Sequence, residues 1–176
     1  RGVTTSWDMA TDKDVWSTNI DTVFMHQQLL EAGVLNLPQE IMQEITEVGV
    51  GGGHGITLLS KAYPNAKLSI TDISSYALST TLLNILANHP IGLRVLENIR
   101  KYWGKGIDNI KGNQDLILIN PPYIPKAPFE KGPDNDPYRG TGLIREIIKD
   151  GYKKLNPDHP HAAIYINISF LQTSKK

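Results

Sequence analysis

The chain has 176 residues, enough for one domain with a single core, and its 18 Lys+Arg balance 18 Asp+Glu to a formal net charge of zero. That neutrality excludes a bulk electrostatic footprint for nucleic acid and leaves one local basic cluster, Arg94, Arg100, Lys101, Lys105 and Lys111, diluted by Glu97 and Asp108. A 40% hydrophobic content excludes a disordered chain, and zero cysteines exclude disulfides and thiolate metal sites.

No apolar run approaches the roughly 20 residues that span a bilayer, and residues 1–14 lack the apolar stretch of a signal peptide. A cytoplasmic protein with no membrane partner is expected. The chain begins with Arg rather than Met, so residues are expected before it.

Residues 1–16 are polar with isolated Trp7 and Trp16, and read as an irregular lead-in. Over residues 19–33, Ile20, Val23, Phe24, Leu29 and Leu30 recur at roughly helical spacing, with Ser17 or Thr18 as cap and Gly33 as terminator. A short second helix is expected after Pro38. Residues 1–36 are thus predicted to form a lead-in and helix flanking the main domain at 37–176.

From there strands and helices alternate. Strands are predicted over 45–50, 67–73, 93–97, 115–119 and 162–170, and helices over 56–62, 74–88 (capped by Ser74) and 141–155. A proline-rich loop runs from Pro121 to Pro137. Alternation of this kind predicts βαβ units and a mostly parallel α/β sheet covered by helices on both faces. In such sheets ligands bind beyond the carboxyl ends of the strands. The loops after residues 45–50, 67–73 and 115–119 are therefore where chemistry is expected.

The first of these loops reads Glu47-Val48-Gly49-Val50-Gly51-Gly52-Gly53-His54-Gly55. Glycines let a ligand approach the backbone with no Cβ in the way. A phosphate-binding P-loop would need Gly-Lys-Ser/Thr, which is missing. A dinucleotide fingerprint would need glycine where His54 or Ile56 stands, which argues against a nicotinamide oxidoreductase. The pattern that fits is acid-x-Gly-x-Gly-x-Gly, with Glu47, Gly49, Gly51 and Gly53 in register. His54 reads as an exposed or loop-packed histidine. Asp72 closes the second strand about 20 residues later, where an acid can accept hydrogen bonds from both hydroxyls of a ribose.

Asn120-Pro121-Pro122-Tyr123 follows the strand at 115–119. Two prolines fix two φ values, so the corner is rigid. The Asn120 side-chain oxygen and the Pro121 carbonyl are two acceptors able to face the two hydrogens of one NH₂ group, and Tyr123 supplies a flat face.

NPPY after the fourth strand, with the Glu47–Gly53 loop after the first, resembles the class I S-adenosylmethionine (SAM) dependent methyltransferases of planar nitrogens. These include the glutamine methyltransferases of release factors and the N6-adenine methyltransferases. The longer match NPPYIP, followed by Gly140-Thr141-Gly142-Leu143, is most similar to the release-factor glutamine N5-methyltransferase branch. Upstream, Asp21-Thr22 sits where that branch has Asp/Glu-Thr beside the cofactor, without the proline of its segment. Trp103 takes the place of an aromatic lining the adenine pocket, and Tyr102 stands where that branch has an acid.

The resemblance covers about residues 15–170. It implies a Rossmann-like methyltransferase fold and a SAM pocket formed by Glu47, Gly49, Val50, Gly51, Gly53, Asp72, Ile73, Trp103, Asn120 and Thr22. It also implies a catalytic corner of Asn120, Pro121, Pro122 and Tyr123 and no metal. The 124–139 loop is the expected built-in substrate element. A further helix and two more strands normally follow the strand at 162–170, so the sheet's last strands are expected to be missing from a chain ending at Lys176.

The expected reaction is methyl transfer to an amide or amino nitrogen, with a protein glutamine, as in a peptide release factor, favoured over a base of RNA or DNA. A non-catalytic SAM-fold binding subunit is the alternative of another class. Intact Glu47, Asp72 and NPPY argue against it.

Overall fold

The computed structural model describes residue 15 and residues 20–89, 92–121 and 142–168. Among these, five parallel strands form one sheet: β1 (Glu44–Val48), β2 (Lys67–Asp72), β3 (Ile99–Trp103), β4 (Leu116–Ile119) and β5 (Ala163–Ile166). Their spatial order is β3-β2-β1-β4-β5. The order reverses direction at β1, so the crevice between the ends of β1 and β4 is the switch point where α/β sheets bind ligands. The Rossmann-like architecture expected from the sequence is the one found.

Alternation along the strands separates two cores, as period-two side chains require. Ile45, Leu68, Ile70, Leu116 and Leu118 pack with Met25, Leu29, Ile56, Leu59, Leu78 and Ile85 on one face. Val48, Ile117 and Ile119 pack with Ile107, Ile110 and Ile147 on the other. The helices supplying these side chains are α1 (Ile20–Glu31), α2 (His54–Ala62) and α3 (Ser75–Asn88) on the first face and α5 (Gly142–Asp150) on the second. Ser74 caps α3 by accepting from the Ala77 N–H at 3.3 Å, as its sequence position predicts.

Some predicted elements are corrected. The segment expected as a strand over 93–97 is a helix, α4 (Gly92–Glu97), and the strand follows it at Ile99–Trp103. Leu93, Val95 and Leu96 fit either period in so short a run, and only Val95 is buried. The first strand stops at Val48, leaving Val50 in the loop, and the last helix ends at Asp150 and tightens into a 3₁₀ turn over Gly151–Lys154.

The segment after Pro38 is a 3₁₀ turn, Gln39–Ile41. In α1 the buried face is Thr22, Met25 and Leu29, while Ile20, Val23, Phe24 and Leu30 are exposed. Gly33 follows α1 with φ 73°, the left-handed turn that ends a helix. No helix among the described residues is long and apolar enough to cross a membrane.

Candidate active site

Register places the key loops side by side. Val48 pairs with Ile119 and with Thr71, so Gly49, Asn120 and Asp72 all emerge from the same end of three adjacent strands. The N–H groups of Gly49 and Val50 both donate to the Thr71 carbonyl, at 2.8 and 3.1 Å, which ties the start of the glycine loop to the end of β2.

Gly53 carries φ 75°, and a Cβ there would lie 2.6 Å from Thr81 Cγ2. Gly49 has φ 68° and, among the described residues, nothing within 4 Å of the position a Cβ would take, so none of them fills the space above it. Helix α3 holds the loop from beneath: Thr81 Oγ1 donates to the Gly51 carbonyl at 3.3 Å and Asn84 Nδ2 donates to the Gly52 carbonyl at 2.8 Å. Sequence reasoning missed both residues. The signal was two polar side chains three apart, on an inward face otherwise made of Ala77, Leu78 and Ile85.

Asp72 does two jobs with one carboxylate. Oδ2 accepts from the Gly51 N–H at 2.9 Å and Oδ1 from the Ser74 N–H at 2.8 Å, so it shapes the glycine loop and the entry to α3 together. Each carboxylate oxygen can accept a second hydrogen bond, which leaves capacity for two hydroxyl donors. Trp103 pairs with Asp72 in register, and its indole N–H donates to the Ile73 carbonyl at 2.9 Å. Trp103 and Ile73 are nonetheless 73% and 72% exposed. Two apolar surfaces flanking a carboxylate with spare acceptors fit a flat heterocycle bearing a ribose. Tyr102, its neighbour on β3, points to the opposite sheet face and is half-buried.

Glu47 lies under the loop, 3% exposed, and its Oε2 accepts from the Ile56 N–H at 2.6 Å. That contact is to the start of α2, so it braces the loop from within. Burial pushes its carboxyl from 4.5 up to about 8; the Ile56 N–H opposes that shift and the charge of Asp72 adds to it. A carboxyl raised on folding stabilises fully below its unfolded value, and that contribution is lost as pH rises through the folded one. Glu47→Gln keeps an acceptor for Ile56 and removes the titration. The parent's stability is therefore expected to fall relative to Glu47→Gln between about pH 5 and 8, by up to about 1.4 kcal/mol per pH unit. Paired thermal melts across that range check it, and a constant difference contradicts it.

His54 opens α2 and is buried, in keeping with a loop-packed histidine. Burial, with His26 adding to it, pulls His54 down to about 4, so its imidazole is uncharged at neutral pH.

On the other side of β1, Asn120 is half-buried and Pro121 is buried. Asn120 Oδ1 accepts from Asn167 Nδ2 at 2.9 Å. The same Nδ2 donates to the Asp21 carbonyl at 2.9 Å, which brings the start of α1, with buried Thr22 beside it, to the carboxyl ends of β4 and β5. Pro122, Tyr123, the 124–139 loop and Gly140-Thr141 lie outside the described residues, as do Trp16, Ser17 and Thr18. Within the basic cluster, Arg100 is engaged by Glu44 at 3.1 Å, at the amino ends of the strands.

Residues 11–158 match the family model described as "Methyltransferase small domain". A ribosomal protein uL3 glutamine methyltransferase of Bradyrhizobium diazoefficiens is 28% identical over 143 residues, covering 73% of this chain and 42% of that protein. A release factor glutamine methyltransferase of Koribacter versatilis is 27% identical over 144 residues, covering 74% of this chain and 49% of that protein. The chain thus spans less than half the length of either relative. Among solved structures, a precorrin-6y C5,15-methyltransferase from Geobacter metallireducens superposes with a TM-score of 0.56 at 15% identity, covering 97% of this chain and 69% of that one. The superposition speaks for the fold alone. The family match takes in β1 to β4 and the loops that shape this site, and by it the chain belongs to the methyltransferase small domain family.

Proposed function

We propose that the chain is a SAM-dependent N-methyltransferase whose acceptor is a planar amide nitrogen, the side chain of a glutamine in a protein of the translation machinery. The observation that carries this reading is the adjacency of the glycine loop after β1 and the Asn120-Pro121 corner after β4, fixed by the Val48–Ile119 register. The two relatives are named for methylating glutamine in uL3 and in a release factor, which supports glutamine as the acceptor.

In this reading Asp72 would hold the ribose, Ile73 and Trp103 would cover the adenine, and the Gly49–Gly53 turn would receive the rest of the cofactor. Glu47 and Thr22 hold the two borders of the pocket. When bound, SAM supplies an electrophilic methyl group carried on a sulfonium. The protein's task is mainly orientation. An amide nitrogen is a poor nucleophile because its lone pair is delocalised. Asn120 Oδ1 and the Pro121 carbonyl accept its two hydrogens, which raises electron density on the nitrogen. The same two acceptors stabilise the positive charge that develops there. The nitrogen then loses a proton to water, so no dedicated base is required.

The test is to incubate the chain with SAM and, separately, recombinant release factor, uL3, tRNA, rRNA and DNA. A mass gain of one methyl on a glutamine of either protein is expected. Methylation confined to RNA or DNA, with the steep salt dependence of phosphate contacts, overturns the protein assignment. The pairing of Arg100 with Glu44 and the neutral net charge both favour the protein acceptor.

Trp103→Ala is expected to weaken SAM binding by about 1–3 kcal/mol, the range for aromatic–base stacking, with little change in the turnover of saturated enzyme. Titration calorimetry reads the affinity. An unchanged Kd would remove Trp103 from the pocket.

A further inference from the structure

Asn167 is the first residue after β5, and its main-chain N–H donates to the Ile119 carbonyl at 2.9 Å, at the end of the β4–β5 pairing. Its side chain spans three elements. Nδ2 donates to Asn120 Oδ1 and to the Asp21 carbonyl, both at 2.9 Å, so both of its hydrogens are engaged.

The direction of this chain of contacts is not interchangeable. A main-chain carbonyl can only accept, so Asp21 dictates that Asn167 turns its NH₂ inward. An inward NH₂ in turn dictates that Asn120 turns its oxygen, not its nitrogen, towards it. The nearly isosteric flip of the Asn120 amide would set donor against donor.

We infer that Asn167 is a positioning residue that sets the polarity of the Asn120 amide, using the start of α1 as its fixed reference. This rests on the reading in which Asn120 receives the acceptor nitrogen. A carbonyl oxygen has two lone pairs, and Asn167 occupies one, leaving the other for the acceptor N–H. A reversed Asn120 would offer a donor to a donor, and the acceptor amide would be repelled. Pre-setting that orientation removes a two-state choice that each turnover would otherwise face.

The test compares Asn167→Asp with Asn167→Ala, using transfer of labelled methyl from SAM to recombinant release factor and uL3. Asp has the shape of Asn but faces both carbonyl oxygens with oxygen, and it invites Asn120 to turn its nitrogen inward. Ala removes the constraint without reversing it. The expected order of kcat is parent above Ala above Asp, with Asp down by roughly 10–100-fold and the Kd for SAM unchanged in both. A packing role predicts the opposite order, because Asp fills the site and Ala leaves a hole. Lowering the pH is expected to restore part of the Asp variant's activity relative to the parent, since a protonated carboxyl regains a donor.

An Asp variant as active as the Ala variant or better overturns the inference, as does equal loss of SAM binding in both. Asn120→Ala with unchanged turnover sinks the underlying reading. An inactive Asn120→Ala beside a fully active Asn167→Asp sinks the inference alone.

A measurement on the parent protein covers variants that fail to fold. The two Asn167 side-chain N–H resonances should exchange with solvent more slowly than those of exposed Asn36. Equal exchange rates at the two residues would also overturn it.

Discussion

Asn120→Ala is expected to lower kcat by about 10²–10³, the loss of roughly 2–4 kcal/mol that follows removal of one preorganised acceptor at a developing charge, while the affinity for SAM stays largely intact. Asn120 stands on the β4 side of the crevice, whereas Asp72 and Trp103, the proposed ribose and adenine contacts, stand on the β2 side, so those contacts should survive its truncation. The variant also leaves Asn167 Nδ2 without one of its acceptors, which costs stability on the order of 1 kcal/mol and shows in the melting temperature rather than in binding.

Asn120→Asp separates the two effects. It keeps one oxygen for Asn167 and a second for the acceptor nitrogen, so its loss should be well below that of Ala. Single-turnover kinetics with saturating SAM, alongside calorimetry, reads both quantities. Unchanged turnover in the Ala variant refutes the role of Asn120.

Gly53→Ala is expected to damage the loop strongly. The residue sits at φ 75°, where an L side chain costs about 1–2 kcal/mol. Its Cβ would also meet Thr81 Cγ2 and Oγ1 at 2.6 Å, and overpacking of that kind costs about 1–3 kcal/mol. Thr81 cannot swing aside, because it is β-branched, fully buried on α3 and donates to Gly51.

The combined loss of about 2–5 kcal/mol is a large share of a domain's stability, and the loop's N–H directions change with it. The double variant Gly53→Ala/Thr81→Ala relieves the steric part and leaves the dihedral part. Denaturant unfolding of the four proteins in that cycle is expected to show partial recovery. Simple additivity would place the Cβ elsewhere than against Thr81.

The strands that carry the site were legible because their chemistry changes abruptly at their ends. Lys67–Asp72 stops at an acid and Leu116–Ile119 at Asn-Pro, and Leu116–Ile119 is a continuous apolar run of the kind a buried parallel sheet accommodates. Asp72 and the glycine loop were legible for the same reason.

The polar supports were not. Asn167 lies inside a β-branched stretch that reads as one strand over 162–170, and nothing local reveals that β5 stops at Ile166 so that its next side chain meets Asn120 and α1. Thr81 and Asn84 depend on which face of α3 turns towards the loop, and capping shows where a helix begins but not how it is rotated. The buried face of α1 escaped for a related reason. Of the apolar positions with helical spacing, Ile20, Val23, Phe24 and Leu30 face outward and Leu29 alone turns inward, beside Thr22 and Met25.

Because β1 sits at the middle of the order β3-β2-β1-β4-β5, the Asp72 and Asn120 corners occupy opposite flanks of one strand. In the proposed reading the methyl donor sits after β2 and β3 and the target after β4 and β5, with the glycine loop between them. Chimeras that exchange the segments following Ile119 and Ile166 should therefore redirect the enzyme to a new target without retuning its grip on the methyl donor.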